Sequence, residues 1–498
     1  MRIKKYILAT LVTMLLCGCS DFTDIYPKGK NILNRVEDLD LVLNSRYTVN
    51  CSNVTYLVND CFPQWVNVPD LLTQEIKSLD GVLLTWDEKT YRAALTNSDT
   101  KYSSLYSLIA TVANAVLLNI DAATGDRVKA DQLKAEALVL RAWCHYILVN
   151  LYAKAYDPAT AASTAGIVYA LETDNISSIA KKKTVAQVYD AIMKDLETAF
   201  SLKSLPENPA SMRIGLSFAY AVKAKVLMSM RDYEGAFDAA KESLNLKNTI
   251  DDYNEKLVTS ETAKKKYGVT VDELKRDYLT YDEELWETPS RWALPFTYEF
   301  WNELEEYHIF HTGLLPDTYL ATLSSSVQAD QAMKYNGLEN LPYPTVTNVY
   351  YSPMGLTTVD MYLTQAECYL RDGDVNAAMK IINQIRAKRV LTNHYSELSA
   401  STSQEAFAWL KKVSRAENFY TFKTFINLKR WNTEEEYAET LHRKIPCTNV
   451  TEWDAKGNPT KTETVIYEYE LRPDSPLWIF PFPQDATDLN PNLTQNFD

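Results

Sequence analysis

An all-α fold is what the sequence predicts: a scaffold of helical hairpins carrying an irregular, loop-rich half. Three observations point to it. Glycine is scarce, with 13 in 498 residues, well under half the roughly 7% of average usage, and a glycine inside a helix costs about 1 kcal/mol relative to alanine. Apolar residues recur at helical spacing over long stretches. Two segments far apart in the chain also read as copies of one helical hairpin.

Leu105, Leu108, Ile109, Val112, Val116, Leu117 and Ile120 repeat at i, i+3, i+4, i+7, and residues 133–152 are apolar almost all round. The latter pattern predicts a helix buried on several sides, with Trp143 in the core and His145 making a structural hydrogen bond. Val185, Val188, Tyr189, Ile192 and Leu196 form the next stripe, opened by Thr184 with Gln187 three positions on, the spacing of a capping box. The segment from Ala224 then matches the segment from Ala366 in register, Asp232 against Asp374 and Ala236 against Ala378. Small residues let paired antiparallel helices approach closely, so these look like tetratricopeptide (TPR) units. The copies stand 142 residues apart, so they do not form a simple tandem array. Hairpins are expected near 104–152, 184–246 and 359–389. Irregular segments are expected near 50–100 and 251–355, with a proline-rich segment at 440–498. Long irregular stretches of this kind tend to be functional.

Charge and spacing exclude several classes. The chain carries 51 Lys+Arg against 65 Asp+Glu, a net charge of -14. That excess is unsuited to phosphate backbones, whose binding depends on Lys and Arg displacing counterions, so no nucleic-acid partner is expected. No two glycines lie closer than 11 positions, which removes the dinucleotide fingerprint, the P-loop and the G-x-S-x-G elbow. No cofactor is expected. At the N-terminus, Arg2, Lys4 and Lys5 precede the apolar run Ile7–Leu16, which is short for a membrane span. Leu16-Cys17-Gly18-Cys19 resembles a bacterial lipobox. On that resemblance residues 1–18 are a signal peptide and Cys19 carries the lipids, which hold the protein to a membrane. Cleavage removes three positive charges and no negative ones, taking the net charge from -14 to -17. Five thiols then remain, at 51, 61, 144, 368 and 447. Cys51 and Cys61 are spaced to close a small loop, whereas Cys144 and Cys368 read as free core residues.

Several motifs occur in a fixed order: Asp24-Ile25-Tyr26-Pro27 after the lipobox cysteine, Glu136-Ala137-Leu138-Val139-Leu140-Arg141-Ala142-Trp143, the hairpin at 366–389, Leu428-Lys429-Arg430-Trp431, Leu477-Trp478-Ile479-Phe480-Pro481, and the closing Leu489-Asn490-Pro491. Together they resemble the SusD/RagB family of Bacteroidetes outer-membrane lipoproteins, from the lipobox almost to residue 498. The resemblance implies one SusD-like domain over 19–498, exposed at the cell surface and lipid-anchored in the outer membrane. It implies capture of oligosaccharides for a SusC-like TonB-dependent transporter, without chemistry. Some relatives handle peptides. Before Leu428, family members often carry an arginine- and glutamate-rich helix; here the run Arg415–Phe425 keeps Glu417 with fewer charges.

Sugar recognition needs flat apolar faces and directed polar groups, which Trp and Tyr combine and Asp, Asn and Arg supplement. The irregular segments hold this mixture. Trp65, Asn67, Asp70, Trp86 and Arg92 lie in the first, and Trp286, Trp292, Tyr298 and Trp301 in the second. These nine are the candidate ligand-binding residues, chosen by location and chemistry; Trp431 is assigned to the core. His308 and His311 with Glu305 have metal-ligand spacing if helical, but no third ligand is evident, so no metal is expected. Carboxylate runs such as Asp282-Glu283-Glu284 read as solvated faces. The alternatives are a peptide or glycopeptide receptor of the same architecture and a glycoside hydrolase built on paired carboxylates.

Overall fold

The computed structural model describes residues 33–497 apart from 46, 48, 64–65, 175–178, 211, 257–281, 287, 289–295, 307, 309–337, 339–353 and 457–458. The expected signal peptide, Cys19, Trp65, Trp292, His311 and most of the segment 251–355 therefore lie outside the described residues.

Four short helices open the described chain: α1 (Val36–Leu43), α2 (Ser52–Leu57), α3 (Val68–Thr73) and α4 (Leu79–Thr85). Then come α5 (Thr100–Leu108), a π turn at Ile109–Ala113, and α6 (Asn114–Asn119). The scaffold follows with α7 (Arg127–Tyr152), α8 (Val185–Ser201), α9 (Leu216–Met230) and α10 (Tyr233–Leu246). Two short helices, α11 (Tyr253–Lys256) and α12 (Tyr298–Glu303), precede α13 (Thr358–Arg371), α14 (Val375–Arg386), α15 (Ser403–Asn418) and α16 (Lys423–Trp431). A hairpin of β1 (Leu441–Trp453) and β2 (Pro459–Leu471) and a last helix α17 (Gln484–Leu489) complete the order.

Every residue of α7 from Ala135 to Tyr152 is buried, as an all-round apolar helix requires. It packs against α1, α5, α6, α8 and α9. The capping box at Thr184 and Gln187 forms at the start of α8. His145 accepts from the Ala170 amide through Nε2 at 3.0 Å, which leaves Nδ1–H to donate to the Arg141 carbonyl at 2.9 Å. Burial pulls its pKa down to about 3, so the ring stays neutral.

The two hairpin copies form as α9–α10 and α13–α14. Asp232 and Asp374 cap the second helix of each, accepting from Gly235 N and Ala377 N at 2.9 Å. The residue before each cap is left-handed: Arg231 at φ 65° and Gly373 at φ 83°. Glycine takes this conformation freely. Arg231 bears the cost and uses its side chain to hold Thr433 Oγ1 at 3.0 Å. Although the copies are distant in sequence, α13 packs directly on α10 and α9. Leu227, Met228 and Ala236 there surround Cys368. The array is therefore continuous in space, and residues 247–357 are an insertion between neighbouring repeats.

The repeated motifs converge on one end of α7. A helix leaves its last carbonyls unpaired, and α7 has no glycine cap. Lys429 Nζ donates to the carbonyls of Asn150 and Ala153, each at 2.6 Å. The Phe480 amide donates to Leu151 O at 2.8 Å, and Asn496 Nδ2 to Tyr152 O at 2.7 Å. Burial, joined by repulsion from the Arg92 guanidinium, holds the Lys429 pKa well below the usual lysine value. Within α7, Arg141 grips Asp195 of α8 with two bonds of 2.7 and 2.8 Å, and Arg430, next to Lys429, grips Glu367 of α13 with two of 2.6 Å.

Two expectations are corrected. The segment 440–498 is not uniformly irregular, since β1 and β2 pair antiparallel over 13 residues each. Val465-Ile466-Tyr467-Glu468-Tyr469-Glu470-Leu471 alternates as a half-buried strand should. Proline is tolerated because each strand of a two-stranded ribbon has a free edge; Pro446 faces Ile466. Cys51 and Cys61 are not joined. All five described cysteines are free and buried, and Cys51 Sγ donates to the Tyr420 carbonyl at 2.8 Å. Burial raises the thiols, to about 12 for Cys51 and Cys368 and about 11 for Cys447. Protein comprising residues 20–498 should therefore react slowly with a thiol reagent at pH 8 and release five thiols only on denaturation; release of three would show a disulfide.

Candidate functional site

Asn59 is where the irregular segments meet. It follows α2 in a left-handed conformation, φ 63°, which asparagine adopts more readily than most residues. Its Oδ1 accepts from Arg443 Nε at 2.8 Å, and its Nδ2 donates to the His442 carbonyl at 2.8 Å. Its own carbonyl accepts from Arg415 at 2.8 Å and from the Thr297 hydroxyl. One residue thus ties the first irregular segment to α12, to α15 and to the base of the hairpin. Lys444 N donates to Glu299 of α12 at 2.7 Å, a second tie between helix and hairpin.

Around this joint a hydrophobic cluster forms from Phe62, Val68, Leu71, Leu72 and Leu84 with Ile445 and Cys447. Val66, Tyr298, Tyr467 and Tyr469 pack on it half-buried. Tyr298 meets Phe62 edge-on at 6.1 Å. Beside them Asn67 caps α3, accepting from the Asp70 amide at 3.0 Å, and Asp70 is exposed in its first turn. Three half-buried tyrosines therefore stand with an amide and a carboxylate on segments 66–70, 298 and 467–469. Rings held on one side and open on the other can lie against C–H-rich ligand faces.

Of the nine expected ligand-binding residues, the structure gathers Asn67, Asp70 and Tyr298. Trp301, half-buried, packs on a neighbouring cluster with Phe296, Phe300 and Phe419. Trp65 and Trp292 lie outside the described residues. Trp86, Arg92 and Trp286 are corrected to interior roles. Trp86 is 5% exposed; its indole donates to Leu57 O at 2.9 Å, and the Arg443 guanidinium lies 4.2 Å over its ring. Arg92 is 3% exposed and holds the carbonyls of Ile479 and Pro476 at 2.6 and 2.8 Å. Trp286 is fully buried between Tyr47 and Phe218. Each has its polar atoms spent on backbone carbonyls, so none presents a face to a ligand. Tyr467 and Tyr469 escaped the sequence reading, although the alternation in β2 would have exposed them.

Buried arginines from the scaffold fasten the irregular segments. Arg389 binds both carboxylate oxygens of Glu417 at 2.8 and 2.9 Å and of Glu283 at 2.9 and 3.1 Å. It also holds the Asp251 carbonyl at 2.6 Å. Arg386 holds Glu305 with two bonds of 2.8 Å. Arg415 holds Asp60 at 2.9 Å and Glu303 at 2.6 Å. Burial pushes the Asp60 carboxyl up to about 6, against the pull of Arg415. Among the described residues no group of three His, Cys, Asp or Glu side chains is placed to hold a metal ion.

Fold and surface together define a helical-repeat scaffold that displays an aromatic, loop-built face. Residues 25–228 match the SusD-like family described as starch-binding and associating with the outer membrane, and residues 357–498 match the SusD family. The chain belongs to the SusD/RagB family. Its fold is similar to that of surface glycan-binding protein A from Bacteroides uniformis, with a TM-score of 0.59 and 14% identity over 93% of this chain and 99% of that one. It is similar also to a SusD superfamily protein from Bacteroides thetaiotaomicron (0.58, 17%, 93% and 99%). A SusD-like carbohydrate binding protein from Bacteroides vulgatus is another such structure (0.58, 16%, 93% and 98%). No curated protein matches the chain.

Proposed function

We propose that this protein captures oligosaccharides at the cell surface and delivers them to a SusC-like TonB-dependent transporter, without chemistry of its own. The observation that carries the reading is the convergence of Tyr298, Tyr467 and Tyr469 beside Asn67 and Asp70 on one cluster. Family membership and the glycan- and carbohydrate-binding descriptions of two structural neighbours support it. Attachment is through lipids on Cys19, at the outer membrane. No helix among the described residues is long and apolar enough to cross a membrane.

Calorimetric titration of the mature protein with a broad panel of glycan oligomers and with peptides tests the reading. At least one glycan is expected to bind, and Tyr298→Ala is expected to weaken it about tenfold, the loss of one aromatic contact of about 1 kcal/mol or slightly more. Peptide binding with no glycan signal would turn the assignment to a peptide receptor. Release of reducing ends by the purified protein would turn it to a hydrolase.

A further inference from the structure

A second feature borders α12 on its other side. Tyr298 at the start of this helix packs on the tyrosine cluster, while Asn302 and Glu303 at its end line a cavity of about 610 Å³ that runs between α15, α16 and residues 436–439. The volume falls within the range of small-molecule sites, roughly 300–1,000 Å³. Its apolar lining includes Phe407, Tyr437 and Trp431, with the first two stacked at 4.2 Å and 26°.

The charges around the cavity balance. Lys411, Lys412 and Arg415 face Glu303, Glu436 and Glu439. Lys411 is committed to Glu439 at 2.6 Å, and Arg415 to Glu303 at 2.6 Å. An anionic ligand would meet as many carboxylates as cations, and a cationic one the reverse, so neither sign is favoured. At the mouth, Asn302, Gln404 and Glu436 are exposed, and their side chains make no hydrogen bond to the described residues. Two amides and a carboxylate supply both donors and acceptors. A half-buried Tyr437 ring, a neutral charge sum and unspent amides match one chemistry, that of a neutral, hydroxyl-rich ring compound.

We propose that this cavity is a second saccharide subsite, selective for neutral sugar units and linked to the tyrosine surface through the short helix α12. The proposal rests on the saccharide reading of the protein and assigns a place within it. Ala408 offers a clean test. It lines the cavity yet is exposed on α15, so Ala408→Trp fills the space without removing any buried partner.

Methyl glucoside, methyl galactoside, methyl mannoside and methyl xyloside serve as neutral probes at millimolar concentrations, with galacturonate as the charged one. Hydrogen exchange of the mature protein is followed at 404–415 and 424–431 for the cavity and at 66–72 for the tyrosine surface. The expected result is protection at the cavity by at least one neutral glycoside and not by galacturonate. Ala408→Trp should abolish it with an unchanged melting temperature, and Gln404→Ala should weaken it about fivefold. Protection at 66–72 alone, or cavity protection that survives Ala408→Trp, would overturn the subsite and leave the surface reading intact. Preference for galacturonate would overturn its neutral selectivity. Absence of protection in both regions, together with no glycan binding in the calorimetric panel, would sink the saccharide reading itself.

Discussion

Replacing Arg389 with alanine should destabilise the protein by about 3–5 kcal/mol, the usual result of removing one partner from a buried ionic group. The reason is geometric. One guanidinium satisfies two buried carboxylates and a carbonyl, and burial already raises the Glu283 carboxyl. Without the cation, Glu283 and Glu417 would face each other unpaired in a low-dielectric interior. Arg389→Lys should recover only part of the loss, because a single ammonium on a flexible stem cannot present a planar fork to both acids. Urea denaturation monitored by circular dichroism gives the magnitude. Hydrogen exchange at residues 282–285 and 251–253 should rise more than in α7, because these segments are what the arginine fastens. A loss under about 1 kcal/mol, or a uniform rise across the molecule, would show that the network is not the fastening.

The second large effect concerns acid. Burial pushes the Glu367 carboxyl up, but the guanidiniums of Arg430 and Arg371 outweigh it and hold its pKa at about 2, below the ordinary 4.5. Between pH 4.5 and 2 the unfolded chain binds this proton and the folded one does not, so stability falls as pH falls through that window. The contribution above pH 4.5 is on the order of 3 kcal/mol. Glu367→Gln should remove that slope and should also cost stability at neutral pH, since two arginines lose their anion. Asp60 works in the opposite sense. Its folded pKa near 6 exceeds the ordinary 3.8, so the folded state binds more protons between those values. Its contribution is therefore complete below pH 3.8 and is lost as pH rises through 6. Stability measured from pH 2 to 8 for the parent, Glu367→Gln and Asp60→Asn separates the two. Parallel acid limbs for parent and Glu367→Gln would contradict the assignment.

The scaffold was legible because its signals are local. Thr184 with Gln187, and Asp232 and Asp374 before their helices, fix helix starts from within four residues. The all-round apolar character of 133–152 likewise announced a burial that is unbroken from Ala135 onward. Aromatic roles in the irregular half were not local in this way. Trp86 and Trp286 resemble Tyr298 in composition and surroundings, but Trp86 is roofed by Arg443 and Trp286 is enclosed by Tyr47 and Phe218. Nothing near these tryptophans in the chain announces partners so far away. Two family motifs carried a physical meaning that spacing alone did not reveal: their Lys429 and Phe480, joined by Asn496, terminate a helix that ends more than 270 residues before them. The hairpin went unread because its prolines masked an alternating strand.

The fastening of the first irregular segment also sets an order of assembly. Arg415 reaches Asp60 across 355 positions, and Arg443 reaches the carbonyls of Tyr56, Leu83 and Leu84 across 387, 360 and 359. Contacts this distant raise the contact order and are slow to form, because the intervening chain must be gathered first. A chain growing from its N-terminus makes α2, α3 and α4 long before the groups that lock them exist. The first irregular segment is thus among the first parts of the chain synthesised and among the last to be locked, and a premature stop anywhere before Arg443 leaves it unfastened.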